Sequence, residues 1–158
     1  TTRVGSGPFP TELFDEDGAE MAERGVEFGA TTGRPRRCGW LDLVALKRAV
    51  QVNGVTGLCV TKLDVLDTFA TIKVCTEYKN VSDFPGSAKD WEQVEPVYLS
   101  LDGWQSSTRG MTSLDDLPAA ARTLLDTIAE FTGAPVHMVS TGPDRCENII
   151  IEHPMGGA

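Results

Sequence analysis

Val55-Thr56-Gly57-Leu58-Cys59-Val60-Thr61-Lys62-Leu63-Asp64 is an apolar run that turns polar at its carboxyl end. That order reads as a buried strand over residues 55–60, of the kind that both faces of an α/β sheet enclose, with ligand-facing residues where the strand stops. Upstream, apolar residues Trp40, Leu43, Val44 and Val50 share one side of a helix predicted over 40–52, and Asn53-Gly54 stops it. Downstream, 71–79 alternates, with Ile72, Val74, Thr76 and Tyr78 on one face, and reads as a half-exposed strand of the antiparallel type.

Further out the same mixture continues. Residues 82–90, with Pro85-Gly86, read as a loop or short helix, and 94–101 as a strand. A helix is predicted from about Asp116, with Pro118 in its first turn. Its stripe is Leu117, Ala121, Leu124, Ile128 and Phe131, and Gly133 ends it. Residues 136–139 and 149–151 are short strands around the turn Thr141-Gly142-Pro143-Asp144. Toward the start, 11–25 is short, helix-like and acidic, and 29–39 is a Gly, Thr and Arg loop. With no repeat and no internal linker, residues 1–158 read as a single α/β domain. An opening without Met, in Gly5-Ser6-Gly7-Pro8, reads as a cut inside a longer protein.

Composition limits the functions available. Among 158 residues, 14 Lys plus Arg face 23 Asp plus Glu, a net charge of −9. Such a field repels nucleic acid and anionic lipid, so neither is an expected partner. No apolar stretch nears the roughly 20 residues of a membrane span. The expectation is a soluble, cytoplasmic protein. Cys38, Cys59, Cys75 and Cys146 are far apart, form no CxxC pair and read as reduced thiols. Cys59 and Cys75 read as buried small hydrophobes, and Cys38 alone, beside two arginines, as a thiol of lowered pKa. His137 and His153 read as structural.

Two segments carry chemistry. Gly33-Arg34-Pro35-Arg36-Arg37 puts three arginines within four residues of an acidic chain. With Thr31 and Thr32 before it, it offers hydroxyls, backbone N–H groups and guanidinium forks for a carboxylate or phosphate. The alternative is a loop whose arginines pair with surface carboxylates. Thr61-Lys62-Leu63-Asp64 has the form of a guanine-reading element, because one carboxylate accepts both N1–H and the exocyclic amine. The phosphate loop Gly-x-x-x-x-Gly-Lys-Ser/Thr is absent from the sequence, so a triphosphate would be gripped by residues outside these.

Four stretches in order resemble the adenylosuccinate synthetase family: Thr1-Thr2-Arg3-Val4-Gly5-Ser6-Gly7-Pro8-Phe9-Pro10-Thr11-Glu12-Leu13, Gly29 to Arg34 with Arg36-Arg37-Cys38-Gly39-Trp40-Leu41-Asp42, residues 58–67, and Ser140-Thr141-Gly142-Pro143-Asp144-Arg145. They resemble its C-terminal part, somewhat more than a third of that enzyme. The fold this implies is the mixed α+β C-terminal portion of the family's α/β fold. Its strands extend a mostly parallel sheet, beside a small antiparallel sheet and two main helices.

The activity implied is a GTP-dependent, magnesium-requiring ligation of IMP and L-aspartate in purine biosynthesis, through 6-phosphoryl-IMP, by a homodimer. By position, Ala30, Thr31, Thr32, Gly33, Arg34, Pro35 and Arg36 resemble the L-aspartate loop, with Arg34 also near IMP and Arg36 reaching toward GTP. Lys62, Leu63 and Asp64 resemble the guanine site, closed over by Ser140, Thr141 and Gly142. Pro35 departs from the family, which often has a basic or amide side chain there. The catalytic Asp and His, the phosphate loop and the magnesium ligands are expected outside these residues, so no catalytic residue and no metal ligand is assigned here. The rival readings are a GTP-binding regulatory module without chemistry and a nonfunctional core or dimer-contact domain.

Overall fold

The computed structural model describes residues 1–81, 84–153 and 156. In chain order the elements are β1 (Thr2–Arg3), α1 (Glu16–Arg24), β2 (Arg37–Cys38), β3 (Leu41–Asp42), α2 (Leu43–Asn53), β4 (Leu58–Val60), β5 (Thr71–Lys79), α3 (Ala88–Trp91), β6 (Glu95–Asp102), α4 (Ala119–Thr132), β7 (Val136–Ser140) and β8 (Asn148–Ile150). Single turns of 3-10 helix lie at Leu63–Leu66 and Leu114–Asp116. The mixed α/β class expected from the sequence is what forms, with α2 and α4 as its two main helices and α1 and α3 shorter, among the described residues. Of the segment expected to be loop or short helix, α3 is the helical part, and Ser82 and Asp83 lie outside the described residues.

The chain divides into two compact units, residues 1–45 with 73–100, and 46–72 with the described residues from 101 onward. In the first, β1 and β2 pair antiparallel, and β3, β5 and β6 form a three-stranded sheet in that order. Its core includes Met21, Cys38, Trp40, Leu43, Val74, Cys75 and Tyr78. Two sequence expectations change here. The helix predicted from Trp40 begins at Leu43, because Leu41 and Asp42 pair with Val74 and Cys75 of β5. Asp42 then caps the helix, its Oδ1 accepting from the Ala45 N–H at 2.9 Å and its Oδ2 from the Tyr78 hydroxyl. β5 is also parallel to β3 rather than a purely antiparallel strand. At that pairing both Val74 and Cys75 are fully buried, so the alternation breaks where β3 lies alongside. Burial, ahead of the neighbouring Asp42, pushes the Cys75 thiol up to about 11. The same two causes push the Tyr78 hydroxyl well above its ordinary value.

In the second unit, β4 is parallel to β7 and β8 antiparallel to it, in the order β4-β7-β8. Ala121, Leu124 and Ile128 are all buried, as their helical spacing requires, whereas Leu117, also buried, lies in extended backbone ahead of the helix rather than on it. Phe131 is half-buried, with the Lys47 ammonium 5.2 Å from its ring centroid. Pro118 stands at the cap of α4 rather than within its first turn, and Gly133, at φ +75°, closes the far end. The buried strand expected over 55–60 shortens to Leu58–Val60. Cys59 is exposed, against the expectation, because it points to the opposite face of β4 from its half-buried neighbours Leu58 and Val60.

Candidate functional site

The parallel pairing of β4 with β7, Val60 opposite Val139, carries both strands to their carboxyl ends side by side. The segments that leave the two strands are thereby brought together. After β4, Lys62 adopts left-handed backbone angles, φ 59° and ψ 43°, and its N–H donates to the Ser140 Oγ at 2.8 Å. A left-handed lysine is uncommon and is held by its surroundings. The 3-10 turn then buries Leu63, so only that residue's main chain remains for a ligand, while Asp64 is half-buried in the first turn.

After β7, Ser140 is half-buried and Thr141 fully buried. Thr141 donates from Oγ1 to the Met111 carbonyl at 2.8 Å and from its N–H to the Glu147 carbonyl at 2.9 Å. The Glu147 carboxylate accepts from the Asp144 N–H at 2.9 Å, which folds residues 141–147 into a closed turn with Gly142 beneath the carboxylate. A cation from Lys62, a carboxylate from Asp64, a hydroxyl from Ser140 and the main chain at 142 thus border one strand-end edge, suited to a planar heterocycle with adjacent donors.

In the other unit, residues 27–36 form a hairpin. The Arg36 N–H donates to the Glu27 carbonyl at 2.8 Å and the Gly29 N–H to the Arg34 carbonyl at 2.9 Å. Phe28 and Pro35 face each other between these bonds. The pair is a non-hydrogen-bonded one, so the N–H that Pro35 lacks would have pointed out of the ladder and its loss costs no bond. Gly33, at φ +62°, turns the tip, and its N–H donates to the Gly29 carbonyl at 2.8 Å. Ala30, Thr31, Thr32, Gly33, Arg34 and Pro35 are all exposed.

The three arginines divide between the two readings offered by the sequence. Arg37 forks onto Glu12, with Nε to Oε1 at 2.8 Å, and lies 5.5 Å from the Phe9 ring centroid. The bond to Glu12 raises its pKa further. Arg36 pairs at 2.9 Å with Glu27, whose side chain is 7% exposed. Arg34 is exposed, its N–H donates to the Thr32 Oγ1 at 3.4 Å, and its guanidinium has no partner among the described residues. One fork is therefore free for an anion and two serve the fold.

Glu12, Glu27 and Glu147 were not singled out from sequence. Their arginine and main-chain partners are set by the tertiary fold, and an isolated acidic residue in an acidic chain carries no mark of it. The histidines hold to a structural reading at His137, in β7, whose Nε2 is 3.3 Å from Glu152. Cys38 is buried with its thiol donating to the Arg36 carbonyl at 3.9 Å.

The family model for adenylosuccinate synthetase matches residues 1–149. The adenylosuccinate synthetase of Pseudomonas putida strain W619 is 58% identical over 98% of this chain, and that of Actinobacillus succinogenes 58% identical over 97%. The chain spans 37% of the length of each of these curated relatives. Among solved structures, the fully ligated adenylosuccinate synthetase of Plasmodium falciparum superposes with a TM-score of 0.91 at 35% identity, over 96% of this chain and 38% of that one.

Proposed function

The chain belongs to the adenylosuccinate synthetase family, and from that premise we propose that residues 1–158 are one domain of a longer GTP-dependent ligase, contributing its guanine-reading edge and its L-aspartate loop. The whole enzyme, a cytoplasmic homodimer, joins IMP to L-aspartate in purine biosynthesis. The γ-phosphoryl group of GTP passes to O6 of IMP, releasing GDP. The aspartate amine then attacks C6, phosphate leaves with the C–O bond, and the amine gives up a proton. Magnesium serves the phosphoryl transfer. By the family resemblance its ligands, with the catalytic Asp and His, are assigned to the remainder of the enzyme.

The observation that carries the reading is the convergence of Lys62, Leu63 and Asp64 with Ser140, Thr141 and Gly142 at the ends of two paired parallel strands, fastened by the bond from the Lys62 N–H to Ser140. Asp64 accepts from guanine N1–H and its amine, the Lys62 stem covers the ring, and Ser140 and the main chain at 141–142 face the base edge. Arg34 takes the aspartate carboxylates and neighbours IMP. Arg36, already paired with Glu27, is assigned to GTP by its position in the family alone, and Thr31 and Thr32 supply hydroxyls. The unpaired Arg34 is what favours a ligase over a GTP-binding module without chemistry, which has no dicarboxylate to bind.

Two assays test this. Purified residues 1–158 form no adenylosuccinate from IMP, GTP, aspartate and magnesium in a steady-state assay; turnover would place the catalytic groups inside them and sink the assignment. In the whole enzyme, Arg34→Leu removes a charge-assisted fork and weakens aspartate and IMP by about ten- to a hundredfold while sparing GTP more. Unchanged KM values for all three substrates would return the hairpin to an ordinary surface loop.

A further inference from the structure

We propose that residues 103–111 form a strap that sets the spacing of the two base-site segments, with Asp67, Trp104 and Thr108 as positioning residues for guanine recognition; the proposal rests on reading 62–64 with 140–142 as the base site. Asp67 closes the 3-10 turn that Asp64 opens, its N–H donating to the Asp64 carbonyl at 3.3 Å. It is 7% exposed, and a carboxylate so buried must be compensated by donors. The strap supplies them. Oδ1 accepts from the Trp104 Nε1–H at 2.8 Å and the Thr108 hydroxyl at 2.7 Å, and Oδ2 accepts from the Thr108 N–H at 2.9 Å.

The far end of the strap holds the other segment. The Met111 carbonyl accepts from the Thr141 hydroxyl at 2.8 Å, and the Met111 N–H closes onto the Thr108 carbonyl at 3.1 Å. Arg109 Nε lies 3.7 Å from the Glu147 carboxylate, which shapes the turn around Gly142. One nine-residue segment is thus tied by buried bonds to Asp67 on one side and by a part-buried bond to Thr141 on the other. Gln105 in the strap, at φ 43°, and Lys62 in the base element, at φ 59°, are both non-glycine residues at positive φ. Such backbone persists only where its surroundings over-determine it, and it gathers at sites that must be held in one geometry. Asp67, Trp104 and Thr108 are themselves buried, so they act on the nucleotide through Asp64 and Thr141.

The test uses the whole enzyme with Thr108→Val, Thr108→Ser and Trp104→Phe, and with Asp64→Asn in parallel. Thr108→Val keeps shape and main-chain N–H and removes one donor to Asp67. Trp104→Phe removes another by an independent route, should the first variant fail to fold. Both are expected to raise KM for GTP about tenfold while kcat and the KM values for IMP and aspartate stay within about twofold, and Thr108→Ser restores GTP binding. A role in stability alone would lower the melting temperature without that split. Equal rises in all three KM values, or an unchanged KM for GTP in both variants beside an altered base preference in Asp64→Asn, overturn the strap and leave the base site standing. An unchanged base preference in Asp64→Asn removes the base site and the strap with it.

Discussion

Asp64→Asn in the whole enzyme is expected to move the ratio of kcat/KM for GTP over XTP by roughly two to four powers of ten, in favour of XTP. A carboxylate accepts from both guanine N1–H and the exocyclic amine, whereas an amide presents one acceptor and one donor. The guanine amine then faces an N–H. Xanthine has a carbonyl oxygen in place of that amine, and an amide accepts from N1–H while donating to the oxygen. Each mismatched buried group costs about 1–3 kcal/mol, and the loss with GTP and the gain with XTP act on the ratio together. The measurement is kcat/KM for each nucleotide with IMP and aspartate saturating. If GTP use collapses and XTP gains nothing, Asp64 supports the strand end instead; if neither moves, guanine is read elsewhere.

The second large effect is on stability, at Gly103→Ala. A Cβ at Gly103 would overlap the Phe69 carbonyl oxygen, and it would lie 2.7 Å from the Phe69 carbonyl carbon and 2.9 Å from that of Ala70. All three are main-chain atoms, so no side chain can swing aside. The backbone must part, losing the bond from the Gly103 N–H to the Ala70 carbonyl at 2.9 Å and loosening buried Phe69. Overpacking and a stranded carbonyl together predict a loss of about 3–5 kcal/mol in urea unfolding. Gly86→Ala, with open space at its Cβ and ordinary backbone, is the control, expected within about 0.5 kcal/mol. A loss at Gly103 no larger than the control's would show that the approach relaxes freely.

What sequence disclosed and what it withheld divide along the range of the interactions. α4 was legible because its stripe depends on nothing but its own period, and all but Phe131 of that stripe is buried. The polar segment 61–64 was legible as a strand end because a strand's polar end is written next to its apolar body. The length of β4 was overread, since apolarity over 55–60 does not say how far the ladder runs or which face is covered, and Cys59 points to the open face. The start of α2 was misplaced for a similar reason: Trp40 fits the helical stripe, yet pairing of Leu41 and Asp42 with β5 claims the backbone first. The arginine hairpin announced its charge but not its partition. Glu12 is 25 residues from Arg37, and Asp67 is 41 from Thr108, separations over which no local pattern runs.

The bond from the Lys62 N–H to Ser140 spans 78 residues of chain. During synthesis at about 5–20 residues per second, roughly 4–16 s separate the emergence of these two ends. Through that interval residues 62–64 lack the strand end that fastens them, and β4 lacks β7, its one neighbour among the described residues. On the proposed reading, the guanine edge is only half-built until β7 is out of the ribosome. A ribosome stalled after residue 130 would therefore hold a complete arginine hairpin and only the 62–64 half of that edge.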